Sequence, residues 1–196
     1  SSSDPGIALA RLNLGELYTK TGKIENGIIE WVAALKVDPS LLPAHFNLGT
    51  AYMMTGKLDL AENAFKHCLK LNSRYEPALF NLAKSYQMQK KWDESSQQFY
   101  VYLEVTGPNP SAYAQIGFNF NRQSDWENAQ KFLEKSISLQ PDNVDTRVYL
   151  AETLGSLGKI EKAREQLQAA LNPNPAQSAA INKMMLSLTS PQNKTP

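Results

Sequence analysis

Residues 46–52 read FNLGTAY and residues 80–86 read FNLAKSY; residues 12–18 read LNLGELY. Each stretch lies 34 residues from the next, and the register continues beyond them. Stepping by 34 from Gly15 gives Gly49, Ala83, Gly117 and Ala151, all small. The residues one earlier are Leu14, Leu48, Leu82, Ile116 and Leu150; those three later are Tyr18, Tyr52, Tyr86, Phe120 and Leu154. A second small column holds Gly27, Ala61, Ser95, Ala129 and Ala163, followed four residues later by Trp31, Phe65, Phe99, Leu133 and Leu167. Five copies without insertion or deletion mark a repeat architecture. With position 1 at residues 8, 42, 76, 110 and 144, these columns occupy positions 8, 7, 11, 20 and 24.

Each copy reads as two amphipathic helices. Apolar or small residues at positions 7, 8 and 11 keep helical spacing. A break follows at TGK (21–23), TGK (55–57), QKK (89–91), QSD (123–125) and LGK (157–159). Glycine in three of these breaks suits a helix C-terminus that needs positive φ. A second break ends each copy, and Pro43, Pro77 and Pro110 fall in the first turn of the next helix, where a missing N–H does no harm.

On these residues the chain resembles the tetratricopeptide repeat family, over about residues 8 to 175. The resemblance implies an all-α fold, a right-handed superhelical α-solenoid of antiparallel helix pairs. The repeats are expected at about 8–41, 42–75, 76–109, 110–143 and 144–175. AQSAAINKMMLSL, about 176–188, is expected to be a capping helix, closing a single domain over 1–188, with 189–196 a flexible tail. The early tryptophan position of the family holds Arg11, His45, Leu79, Tyr113 and Arg147 here. Repeat three departs most, with Ala83, Lys90, Ser95 and Tyr102, so looser or locally altered packing is expected around 83–107.

Composition narrows the function. The 20 Lys+Arg nearly balance 19 Asp+Glu, and a net charge of +1 argues against a nucleic-acid binder, which shows a basic excess or stripe. No apolar run approaches the 18 residues of a membrane-spanning helix, so direct membrane insertion is not expected. One cysteine, Cys68, allows no internal disulfide, which favours a cytoplasmic setting. The opening SSSDPG has the look of a trimmed start, so an exported or periplasmic location stays open.

Catalytic parts are few. Two histidines on different helices and one cysteine do not make a structural zinc site. Cys68 stands at a position usually held by a small buried residue, and Glu161 with Glu165 is an ordinary solvated helix face. No phosphate-binding glycine motif occurs. Neither enzyme activity, cofactor nor metal is expected. Trp31, Trp92 and Trp126 are expected in the core.

The remaining signal lies on the other side of each first helix. Position 6 reads Asn13, Asn47, Asn81, Gln115 and then Tyr149. A side-chain amide offers a donor and an acceptor, which matches the pair offered by every peptide unit. Helices 8–10 Å apart would place one amide against about every third residue of an extended ligand at roughly 3.3–3.6 Å per residue. The pattern is similar to the asparagine ladder of the tetratricopeptide superhelix in the O-GlcNAc transferase family. Solvated amides, or amides that link neighbouring helices, are the alternative reading. Beside them stand Phe46, Phe80, Met53, Met54, Met88 and Phe118, expected to form an apolar groove surface; packing of Phe46 and Phe80 back against a neighbouring helix is its alternative. Lys84 and Arg122 are expected to contact an acidic ligand residue. The carboxylate clamp of some family members does not fit: Leu12, Glu16 and Pro77 stand at its positions and only Asn47 matches.

The expected function is a non-catalytic scaffold or adaptor that holds a protein or peptide partner in a concave groove. The alternatives are a self-associating assembly protein, hence a homo-oligomer, and the regulatory repeat part of a larger enzyme.

Overall fold

The computed structural model describes residues 4–171 and 178–188. Every regular element among them is helical: α1 (Pro5–Lys20), α2 (Ile24–Val37), α3 (Leu42–Met54), α4 (Leu58–Leu71), α5 (Glu76–Met88), α6 (Trp92–Thr106), α7 (Pro110–Arg122), α8 (Trp126–Leu139), α9 (Val144–Ser156), α10 (Ile160–Leu171) and α11 (Ser178–Leu188). They fall into two compact units, one ending at Val105 and one beginning at Thr106.

The first unit carries repeats one to three. α1 pairs with α2 and α3 with α4; α2 packs on α3, α4 on α5, and the first helices α1, α3 and α5 also touch in sequence. The second unit repeats the scheme, with α7 on α8, α9 on α10, α8 on α9, and α11 laid against α10. This is the expected antiparallel-pair solenoid of tetratricopeptide type. The expected tail, 189–196, lies outside the described residues, as do 172–177, which include the first two residues of the expected cap.

The small and bulky columns explain the pairing. A methyl group on Gly15 would come within 2.4 Å of the Trp31 indole nitrogen, and one on Gly49 within 2.5 Å of the Phe65 ring. Gly117 stands in the same relation to Leu133, at 2.6 Å. In these three copies position 8 thus lets the position-24 side chain lie on bare backbone. Those side chains (Trp31, Phe65, Phe99, Leu133 and Leu167) are all buried. Trp31 also donates its indole N–H to the Leu12 carbonyl at 3.1 Å. Close packing of this kind carries most of the stability of a short helix.

The first helices end alike. In each copy the position-16 N–H bonds the position-11 carbonyl, from Lys23 to Tyr18 at 2.9 Å through Lys159 to Leu154 at 2.8 Å. The residue between them has positive φ in all five: Gly22, Gly56, Lys90, Ser124 and Gly158. This is the Schellman closure, which satisfies orphan carbonyls with backbone donors. α1 begins one turn before the expected repeat boundary, because Asp4 caps it by accepting the Gly6 N–H at 2.8 Å and Pro5 supplies a preset φ.

Of the two alternatives for repeat three, the packing is locally altered and not looser; the expectation for two tryptophans changes. Looser packing is not found at the centre of repeat three, where Ala83, Ser95 and Phe99 are fully buried. Tyr102, at a position held by Ala34, Cys68, Ser136 and Ala170 elsewhere, turns its ring edge to Phe80 at 5.4 Å. Trp92 and Trp126 are half-buried, not core, because each opens a second helix at the edge of its pair.

Candidate protein-interaction surface

Within the first unit, α1 and α3 leave a cavity of about 210 Å³ between them. Trp31 forms its floor, Glu16, Thr19, Asn47 and Thr50 its walls, and Met54 stands at its rim. Asn47 at position 6, and Glu16 and Thr50 at position 9, are turned about 160° and 100° from position 8 on their helices; Thr19, at position 12, shares the packing face, beside Gly27 of α2. The Asn47 amide donates to the Glu16 carboxylate at 3.3 Å. A position-6 residue therefore reaches the position-9 residue of the preceding repeat. The same relation recurs in the second unit, where the Tyr149 ring meets the Phe118 ring at 5.1 Å. For Asn47 the structure realises the alternative reading, an amide that links neighbouring helices, while the residue also lines the cavity.

The other position-6 residues are placed unequally. Asn13 is exposed; Asn81 and Gln115 are half-buried. Asn13, Asn47 and Asn81 belong to the first unit, Gln115 and Tyr149 to the second.

The apolar candidates divide. Phe46 packs inward, edge-on to Tyr75 at 5.5 Å and beside Phe65 at 6.0 Å. Phe80 likewise packs against Phe99 at 5.2 Å. Met53 is half-buried against the cluster around Phe65, Cys68 and Leu82. Met54 and Met88 are 69% and 50% exposed, although both are large and apolar. Aromatic rings at position 5 go to the inter-helix wedge because a partner ring on the second helix completes them. Methionine at position 13 has no such partner.

Charge is tuned by burial. Burial holds the Lys84 ammonium below its ordinary range. In the second unit Arg122 is exposed and its guanidinium lies over the Phe118 ring at 4.8 Å. Burial raises the Glu152 carboxyl, opposed by Arg122. Burial, with Asp145 and Glu152, also raises the Tyr149 phenol. Arg122, Phe118, Tyr149 and Glu152 thus form one cluster that joins α7 to α9, and Glu152 continues into a cavity of about 320 Å³ closed by Met184 and Ser187 of α11.

Sequence reasoning missed the polar residues turned toward the preceding repeat. Asn121 donates to Thr153 at 2.9 Å, and Ser85, Asn119 and Thr153 are fully buried at position 10. Their helical phase could have been found by noting that Ala51 and Leu17 share the column.

The histidines stack, His45 on His67 at 5.2 Å and 14°. Among the described residues no group of three His, Cys, Asp or Glu side chains is placed to hold a metal ion. The Cys68 thiol is buried, faces the Leu42 carbonyl at 3.8 Å, and burial pushes its pKa up to about 12, far from a reactive thiolate. Among the described residues no helix is long and apolar enough to cross a membrane.

Tetratricopeptide repeat models match residues 43–75, 77–104 and 121–186. No curated protein sequence matches the chain significantly. Solved structures share the fold at low identity. MamA from Desulfovibrio magneticus RS-1 (residue 41 to its end) is 15% identical, covering 90% of this chain and 99% of that one, with a TM-score of 0.82. A tetratricopeptide repeat protein from Parabacteroides merdae is 15% identical over 93% of this chain and 72% of its own, with a TM-score of 0.84. YrrB, a tetratricopeptide repeat protein with an unusual peptide-binding site, is 18% identical over 90% and 91%, with a TM-score of 0.75. The 34-residue register, the helix pairs locked by positions 8 and 24, and repeat models that together span more than half of the sequence place the chain in the tetratricopeptide repeat family.

Proposed function

We propose that the chain is a non-catalytic interaction scaffold that holds a partner peptide along its first helices. The observation that carries this reading is the 210 Å³ cavity between α1 and α3, apolar at its Trp31 floor and Met54 rim, with the Asn47 amide and Glu16 carboxylate at its wall. Its size suits one apolar side chain, and the polar wall suits the peptide unit beside it. Met88 extends the exposed methionine column one repeat further, and methionine adapts to irregular partners. The peptide-binding site of YrrB lends support by likeness of fold. In this reading Asn13, Asn47 and Asn81 of the first unit contact ligand backbone, Phe46, Phe80 and Met53 support that surface from behind, and Lys84 meets an acidic ligand group; in the second unit Gln115, Phe118 and Arg122 take the corresponding roles by themselves.

The test is a pull-down with the Asn47→Ala/Asn81→Ala variant as control, followed by titration of the captured partner. Each neutral hydrogen bond contributes only about 0.5–1.5 kcal/mol. The double change should weaken binding roughly tenfold, with helicity retained and melting lowered only slightly by loss of the Asn47–Glu16 link; equal affinity of variant and parent would rule out the amide mechanism.

A further inference from the structure

The α9–α11 cavity of the second unit, about 320 Å³, is the counterpart of the α1–α3 cavity of the first. Glu152 and Glu16 both stand at position 9, and Leu167 and Trp31 both line their cavities from position 24. α11 supplies Met184 and Ser187, three residues apart, as α3 supplies Asn47 and Thr50. The linings differ in hydrogen-bond character. In the first cavity Lys20 and the Asn47 amide bring donors, and Asn47 bonds Glu16. In the second, position 13 is Ser156, and Met184 stands where the amide would be. The Ser156 hydroxyl donates to the Glu152 carbonyl at 3.1 Å, and the Ser187 hydroxyl to the Met184 carbonyl at 2.7 Å. Both hydroxyl hydrogens are thus spent on backbone, while each oxygen can still accept. With the half-buried Glu152 carboxylate, the described lining offers three accepting groups and no spare side-chain donor. Ala151 and Leu167, both buried, give it an apolar base.

We propose that this cavity takes the side chain of a lysine in the partner peptide, with the ammonium group held by Glu152, Ser156 and Ser187. An ammonium has three donors and no acceptor, which matches three accepting groups that lack a donor. Its four-carbon stem suits the apolar base and the Met184 side chain beside it. A guanidinium fits less well, since its five donors sit in a rigid plane and exceed the acceptors present. A neutral apolar side chain would close the cavity over a carboxylate left without a partner, which is unfavourable. Burial already presses Glu152 toward its neutral form, and a cation seated beside it would favour the charged one. Arg122, which opposes the effect of burial, lies over the Phe118 ring and is not part of the described lining. Lys183 of α11 is exposed and is not part of it either. The assignment to a peptide rests on the scaffold reading above, and it names a ligand residue that the first-unit cavity does not select.

The experiment needs no natural partner. The probe is lysine blocked at both ends (N-acetyl-lysine N-methylamide), whose one charge is the side-chain ammonium. It is titrated into the full ¹⁵N-labelled chain, and amide shifts are followed. A dissociation constant on the order of 1–10 mM is expected for a ligand of this size, with the shifts centred on α9 and α11. The blocked norleucine analogue keeps the stem and loses the charge, and should bind at least about tenfold more weakly. Glu152→Gln should weaken lysine binding by a similar factor with helicity unchanged, and Ser187→Ala should weaken it by less. Asn47→Ala/Asn81→Ala should leave these shifts as they are, so the first-unit amide mechanism and this site can fail separately. Equal affinity for the norleucine analogue overturns the proposal, as does lysine binding that survives Glu152→Gln or shifts that avoid α9 and α11. Tighter binding of cadaverine than of the blocked lysine would give the site to a free diamine and overturn its assignment to a peptide.

Discussion

At the scale of the residue, the five first-helix turns differ in strain and not in shape. Lys90 at φ +59° and Ser124 at φ +61° adopt the left-handed region that glycine occupies in the other three copies. A side chain there costs about 1–2 kcal/mol in local strain, partly offset by the extra freedom glycine brings to the unfolded chain. Lys90→Gly and Ser124→Gly should each raise stability by about 0.5–1 kcal/mol, read as a higher urea midpoint with unchanged slope. The sequence showed that breaks occur at 89–91 and 123–125 because the apolar periodicity stops there. It did not show that QKK and QSD bend as TGK does, because their conformation is imposed by the Schellman bonds and not by residue preference.

At the scale of the element, Glu62 on α4 is the point where repeats two and three are tied. It accepts from Lys66 at 2.6 Å, Lys91 at 3.2 Å, Gln89 at 3.3 Å and Tyr86 at 3.4 Å. Burial pushes its carboxyl up, but the bonds from Lys66, Lys91 and Gln89 outweigh burial and hold it at about 2, below the ordinary 4.5. The stabilisation is present above pH 4.5 and is lost as pH falls toward 2. Solvent screening leaves it worth about 1–2 kcal/mol. Urea unfolding of the parent and Glu62→Gln at pH 7 and pH 3 should show the difference between them shrinking in acid; a constant difference would show that the charge is not the tie.

Two elements also show how far the candidate surface was legible. Position 6 lies about 160° round the helix from position 8, so its turn from the packing face follows from helical phase alone. The partner of Asn47 was not legible, because Glu16 lies 31 residues away and becomes a neighbour only once α1 and α3 touch. Phe46 and Phe80 have a phase between groove and wedge. The rings of Tyr75, Phe99 and Tyr102 decide for the wedge, and no single-helix pattern contains that information.

At the scale of the molecule, the repeat period fixes almost the whole helical plan, because each copy meets only its neighbours. The end elements follow other rules. α11 seats Ile181 in a core with Leu150, Leu154 and Leu167. Ending the chain at Leu171 should therefore speed amide hydrogen exchange in α9 and α10 by one to two orders of magnitude, given roughly 2–3 kcal/mol for one buried Ile and its neighbours. Exchange in α1 and α2 should stay as it was; acceleration there would mean that the chain unfolds as a single cooperative block.

The link from position 9 of one repeat to position 6 of the next has a bearing on how such a chain can grow. At the two joints where it is seen, one copy offers a group forward and the next receives it, as Glu16 does to Asn47 and Phe118 to Tyr149. The chemistry of the joint differs between those two places while its geometry does not. A duplicated 34-residue segment would arrive with both halves of the joint already in place, so lengthening by gene duplication needs no new invention at the seam, and drift can then convert a polar joint to an aromatic one.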